Sequence, residues 1–195
     1  MLEAYGWQPA IGDPSIMGWV TVWAYFTTAL LALILGCKSK RKFPPETRKA
    51  QRNFWLIVSV VMLSLGVNKQ LDLQSLITAM GKYYAIRDGW YDNKRVVQFA
   101  VVSAILAIAA LSLALFFYYM RDLLKTNWLA IAGLSFLLIF IVIRATSFHH
   151  IDIFIHSYMA GVRMNWLFEL GGITAVAISA LSLSYYKSDP IQAGS

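Results

Sequence analysis

The chain has 195 residues, of which 58% are hydrophobic and only 14% are charged, and its mean hydropathy is +0.58. A water-soluble domain of this length rarely carries so little charge, so the composition indicates an integral membrane protein. The net charge of +7 is then typical of membrane topology and lipid headgroup contact, not of nucleic-acid binding. A single cysteine, Cys37, excludes an internal disulfide.

Long apolar runs, each of membrane-spanning length, predict an all-α bundle of five transmembrane helices in one domain, residues 1–195. The predicted spans cover about residues 16–37, 54–73, 96–120, 128–148 and 165–186. The first run is predicted to be a retained span, because no Lys or Arg precedes it and a signal peptide needs a basic start. The purely apolar part of the second run ends at Val67, so that span must continue through the polar residues 68–72.

Basic residues set the predicted orientation. Seven lie between residues 38 and 52, directly after the first span, and none lies before that span. Over the whole chain, ten basic residues fall on the side of this loop and seven on the other side. The positive-inside rule therefore predicts an outer N-terminus and a cytoplasmic C-terminus, which five spans allow.

Two outer segments are amphipathic, and each is predicted to form a short helix on the membrane surface. After the second span, apolar residues at helical spacing are Leu73, Leu76, Ile77, Met80 and Tyr84. After the fourth span, one helical face would carry Phe148, Ile151, Ile155, Tyr158, Met159 and Val162. The other face of that second helix would carry His149, Asp152, His156 and Arg163.

All three histidines lie within residues 149–156. A helix places His149, Asp152 and His156 on one stripe, because they are spaced i, i+3 and i+7. Two imidazoles and a carboxylate can bind a divalent metal such as zinc or transfer protons, and Asp72 or Glu169 could add a ligand or general base. The alternative is a surface helix whose polar side faces water and binds nothing.

Further polar residues are expected at the same outer boundary. Glu169 lies about one turn inside the fifth span, where a carboxylate is costly unless it is paired or protonated. It either pairs with Arg144 or joins the histidine cluster. Lys69 is expected to extend outward towards water. The other members of this predicted outer polar cluster are Asn68, Lys69, Arg144, His150, Arg163 and Asn165.

Five short motifs are similar to segments of known membrane proteins: NKQLDLQ at 68–74, GWY at 89–91, SFHHID at 147–152, NW at 165–166 and ELGG at 169–172. In these motifs the chain resembles an uncharacterised family of small bacterial multi-pass membrane proteins, which implies the bacterial inner membrane and no particular activity. It is more weakly similar to the membrane metal-hydrolase superfamily that includes alkaline ceramidases. That superfamily binds zinc through His and Asp. Its members have seven spans and a His-x-x-x-His pair, whereas this chain has five predicted spans and no such pair.

The sequence therefore favours a multi-pass binding or accessory subunit of the inner membrane. Its outer polar cluster would dock a partner subunit, a lipid or a cofactor-bearing complex. The alternative is a metal-dependent intramembrane hydrolase of a lipid or related amphiphile, in which Asp72 or Glu169 assists the metal. A transporter is the weakest alternative, because no span carries a broken-helix signal.

Overall fold

The computed structural model describes residues 11–71, 73–89, 121–145, 158–159 and 162–185, together with single positions between 100 and 118. Its helices are α1 (Ile16–Cys37), α2 (Ser39–Lys42), α3 (Arg48–Leu71), α4 (Leu73–Arg87), α5 (Leu124–Ala145) and α6 (Met164–Tyr185). A 3-10 turn, Arg121–Leu123, precedes α5. Before α6, the short strands β1 (Tyr158–Met159) and β2 (Val162–Arg163) pair antiparallel.

Four of the described helices, α1, α3, α5 and α6, are long and apolar enough to cross a membrane, judged by length and composition. Apart from the short strand pair, the regular structure of the described residues is helical, and the four long helices make the chain a multi-pass membrane protein. For the predicted span 96–120, the described positions between 100 and 118 are helical. The count of five spans and the orientation of the termini stay predictions.

Helix α1 begins and ends at the predicted residues. Ser15 is its N-cap, and the Ser15 Oγ accepts a hydrogen bond from the backbone N–H of Gly18 at 3.0 Å. Helix α3 begins at Arg48, earlier than the apolar run suggested, because Arg, Lys, Gln and Ala extend a helix well without being apolar.

Near its N-terminal end, α5 departs from regular helical geometry at Asn127, whose φ is −116° and whose ψ is 18°. This side chain is fully buried, and its Nδ2 donates to Gln51 Oε1 on α3 at 3.0 Å and to the Leu123 carbonyl at 3.2 Å. The buried amide pair holds α3 against α5 at this end of the bundle. The regular part of α5 therefore starts at Trp128, the residue at which the fourth span was predicted to begin.

Helix α1 packs against α3 and α6, and α6 packs in turn against α5. The contacts are close because small residues face each other, as is common between membrane helices. The Ser59 Oγ on α3 donates to the Ala29 carbonyl on α1 at 2.8 Å. Where α5 meets α6, Gly133 faces the backbone of Gly172, and Gly172 faces Leu137. The lack of a side chain at Gly133 and Gly172 therefore allows α5 and α6 to approach closely.

The prediction of a helix reaching residue 163 is wrong at its C-terminal end. Tyr158 pairs with Arg163, and Met159 pairs with Val162, in an antiparallel arrangement. In the sequence, the predicted helix would have to continue through Gly161, and glycine in a helix interior costs about 1 kcal/mol relative to alanine. The helix predicted after the second span is confirmed as α4, and its position on the membrane surface stays a prediction.

Candidate functional site

Three segments meet at one end of the bundle around a group of charged and polar side chains. Asp13 comes from the segment before α1, Lys69 from the last turn of α3, and Trp166 and Glu169 from the first two turns of α6. These four residues, Asp13, Lys69, Trp166 and Glu169, are called the charged cluster below. They are brought together because α1 lies beside both α3 and α6.

A buried ion pair is the centre of the charged cluster. The Lys69 Nζ donates to Glu169 Oε2 at 2.6 Å, and the two side chains are only 4% and 3% exposed. Charged hydrogen bonds of this length are among the strongest in proteins. Removal of either partner would take this 2.6 Å contact from a buried charge, which is strongly destabilising, so each residue depends on the other.

Asp13 adds a second carboxylate, which is held mainly by neutral donors. Its Oδ2 accepts from Trp166 Nε1 at 3.1 Å and lies 3.8 Å from Lys69 Nζ. Its Oδ1 accepts from the Oγ and backbone N–H of Ser15 at 2.6 and 3.2 Å. The neighbouring Gly12 N–H donates to the Gln70 carbonyl at 2.8 Å. The chain before α1 is therefore fastened to both α3 and α6.

The environment lowers the pKa of Asp13 below its ordinary value of 3.8. Partial burial is the largest single influence and raises the pKa, because it penalises the charged form. Hydrogen bonds from Ser15 and Trp166, together with the positive charge of Lys69, outweigh it and lower the pKa. The carboxylate is thus ionised at neutral pH.

This lowered pKa predicts an acid-dependent loss of stability. A carboxylate whose pKa falls on folding contributes stability above its unfolded pKa, about 3.9, and loses it as pH falls through the folded value. We expect the melting temperature of the detergent-solubilised protein to fall more steeply below about pH 4 than that of Asp13→Asn. Circular dichroism melts between pH 3 and 7 measure this, and parallel curves for the two proteins would contradict it.

Two amide side chains next to the cluster have buried polar atoms without hydrogen bonds. Within the described part of the chain, Gln70 Nε2 and Oε1 and Asn165 Oδ1 have no partner. Gln70 follows Lys69 on α3, and Asn165 lies one turn before Glu169 on α6. The Arg163 guanidinium lies 5.4 Å from the centre of the Trp166 ring, at the same end of α6.

The structure brings together part of the predicted outer polar cluster. Lys69 and Glu169 are in contact, and Asn68, Arg163 and Asn165 lie at the same helix ends. The expectation that Lys69 extends outward is wrong, because its side chain is buried against Glu169. Arg144 belongs to α5, but its side chain, and hence its predicted pairing with Glu169, lies outside the described residues.

The predicted metal site lies outside the described residues. This applies to His149, Asp152 and His156, and equally to Asp72 and His150. Within the part of the chain that the structure describes, no group of three or more His, Cys, Asp or Glu side chains could hold a metal ion. Zinc binding by the histidine stripe therefore stays a prediction.

Some features of the sequence indicate the charged cluster. Lys69 and Glu169 carry opposite charges in two spans that meet the same predicted boundary, so their pairing could have been anticipated. Asp13 gave a weaker signal, since a carboxylate shortly before a helix N-cap usually binds only local backbone. Its contact with Trp166 depends on the packing of α6 beside α1 and was not foreseen.

In comparisons with known proteins, no protein family, curated protein or solved structure matches this chain. The class of the molecule therefore follows from its own helices, which define a multi-pass membrane protein.

Proposed function

We propose that this chain is a binding or accessory subunit of the bacterial inner membrane. It would dock a membrane partner through the bundle end that carries the charged cluster. The observation that supports this most directly is the set of unpartnered amide atoms on Gln70 and Asn165 beside that cluster.

The charges of the cluster are satisfied within the chain itself. Glu169 is bound to Lys69, and Asp13 accepts hydrogen bonds from Ser15 and Trp166. A general base needs a free lone pair and a pKa near the working pH, whereas Asp13 is held ionised with a lowered pKa. These contacts favour a structural role for the charges, which fix the geometry of the site.

The amides, in contrast, lack partners. A buried polar group without a hydrogen bond costs about 1–3 kcal/mol, so such groups in a native protein call for an explanation. Gln70 and Asn165 are only partly buried as whole residues, so their side chains would turn towards a docked partner that offers donors and acceptors and recover that free energy. Gln70 presents one donor group and one acceptor, and Asn165 presents an acceptor.

The alternative, a metal-dependent hydrolase of a lipid or related amphiphile, rests on His149, Asp152 and His156 with Asp72 or Glu169. The contact of Glu169 with Lys69 makes Asp72 the better candidate for a base in that scheme. Metal analysis of the purified protein tests it, and about one equivalent of zinc, lost in His149→Ala, would support the hydrolase.

The docking proposal predicts opposite effects of one substitution on the chain and on its complex. Gln70→Leu removes two unpartnered polar atoms, so we expect the isolated chain to melt at a higher temperature. The same change should weaken retention of a stoichiometric partner about tenfold, because each lost hydrogen bond contributes about 0.5–1.5 kcal/mol. Tagged protein purified in mild detergent, with the complex quantified by mass photometry, measures both.

Asn53→Leu is the matched control, because Asn53 is an exposed amide on the same helix at its opposite end. It should leave the complex intact. Purification of the wild-type chain as a monomer in several mild detergents would count against docking, as would full partner retention by Gln70→Leu.

A further inference from the structure

The opposite end of the bundle carries an ordered basic segment, residues 38–52, which runs from the end of α1 through α2 into the first turns of α3 and is called the basic turn below. Ser39 and Phe43 are buried, at 1% and 6% exposure, so they anchor the turn in the bundle. The Lys42 Nζ donates to the Ser184 carbonyl near the end of α6. Backbone hydrogen bonds from Phe43 to Ser39 and from Arg48 to Pro44 fix its course. The basic turn is therefore a folded surface.

Among the residues that the structure describes, most of the positive charge of the basic turn has no acidic partner. It contains seven basic residues and one acid, Glu46, which is exposed. In the described chain, six of the seven basic side chains form no salt bridge. These six are Lys38, Lys40, Lys42, Arg48, Lys49 and Arg52. The buried Nε of Arg48 also lacks any hydrogen-bond partner among the described residues.

The N-terminal end of α3 lies within the basic turn, and it adds the partial positive charge of a helix N-terminus to the charge of the side chains. Its first turn contains no acidic residue and begins with Arg48 and Lys49. The N-terminus of a helix carries partial positive charge, so basic side chains there are unfavourable unless an anion lies nearby. The exposed side chains of Lys49 and Arg52, the partly exposed Arg48 and a positive helix end together match the chemistry of a phosphate group.

The position of the basic turn indicates where that phosphate comes from. The turn follows Cys37, where the apolar helix α1 ends, and precedes the apolar part of α3. Trp128, near the N-terminal end of α5, is exposed and lies at the same end of the bundle as the basic turn. Exposed tryptophans are common at the level of the lipid headgroups. Clusters of four to eight basic residues next to a transmembrane helix attract anionic lipids.

We propose that the basic turn binds the phosphodiester headgroup of an anionic phospholipid, with Arg48, Lys49 and Arg52 as its main contacts. This site is separate from the docking surface proposed at the other end of the bundle. It attaches the chain to anionic regions of the bilayer through a folded surface, and the exposed Lys40 of α2 lies on the same segment.

The test is binding of short-chain lipids to the full chain in neutral detergent. We expect dihexanoyl phosphatidylglycerol to raise the melting temperature at concentrations at least tenfold below those needed for dihexanoyl phosphatidylcholine. Lys49→Gln/Arg52→Gln should weaken the phosphatidylglycerol effect about tenfold or more, because each basic residue contributes appreciably to attraction by anionic lipid. The preference should decrease at high salt, because surface charges are screened.

Lys82→Gln/Arg87→Gln is the matched control, since both residues are exposed on α4, outside the basic turn. This control should retain the full phosphatidylglycerol effect. Circular dichroism spectra verify that both double variants are folded. Equal responses to the two lipids would overturn the proposal, and so would equal weakening by the two double variants.

Two other ligands are tested in the same way. If inorganic phosphate raises the melting temperature as much as the lipid at equal concentration, the site binds a free anion. If duplex DNA binds more tightly than the lipid, the site binds nucleic acid. Either result overturns the lipid proposal.

Discussion

Replacing Lys69 by methionine is expected to lower the free energy of unfolding by about 3–5 kcal/mol. The methionine fills a similar volume, but Glu169 then keeps a buried carboxylate that has lost its 2.6 Å partner. The loss also removes the positive charge that lies 3.8 Å from Asp13. Denaturation by SDS in mixed micelles, followed by circular dichroism, measures the change.

A double-mutant cycle distinguishes the pair from its separate residues. Lys69→Met/Glu169→Leu should recover most of the lost stability, since apolar replacement of both members of a buried pair is often neutral or stabilising. Lys82→Met, at an exposed lysine on α4, is the control and should change stability by less than about 0.5 kcal/mol. Additive effects of the two single substitutions would show that the contact carries no coupling.

The membrane-spanning helices could be predicted because their signal is local. An apolar run of sufficient length must form a helix in a bilayer, where no water satisfies the backbone. The ends of α1 and α6 were therefore close to the predicted residues, at Ile16–Cys37 and Met164–Tyr185. The start of α3 was missed because its first turns are polar and lie outside the apolar run.

The contacts within the charged cluster could not be derived in the same way. Lys69 and Glu169 are 100 residues apart, and their meeting depends on which helices are neighbours. Hydrophobic runs do not determine that order, since every span presents apolar side chains to lipid and to other helices alike. Small residues on α1 and α3 and the glycines of α5 and α6 contribute to it through close approach.

The two ends of the bundle also differ in how they neutralise charge. At one end, acids from the N-terminal segment and α6 surround Lys69, so the charges are satisfied within the chain. At the other end, the basic turn has a single exposed acid, and its α3–α5 link is the neutral amide pair of Gln51 and Asn127. The first end is suited to a partner that offers hydrogen bonds, and the second to a partner that offers negative charge.

Gly133→Ala is expected to destabilise the contact between α5 and α6 by about 1–3 kcal/mol. A Cβ on residue 133 would lie 2.8 Å from the Gly172 carbonyl oxygen and 2.9 Å from the Ala175 Cβ. Neither neighbour can rotate away, because one atom belongs to the backbone and the other is attached to it directly. The two helices must therefore move apart, and the packing of α6 against α1 is disturbed with them.

Gly171→Ala is the matched control for that substitution. Gly171 lies on the same helix as Gly172, but no atom of the described residues outside the helix backbone lies within 4 Å of its added Cβ. Alanine there should be neutral or stabilising by up to about 1 kcal/mol, because it favours helix over the unfolded chain. SDS denaturation of the two variants measures the difference. Equal stability of Gly133→Ala and Gly171→Ala would mean that close helix approach at Gly133 is not required for the fold.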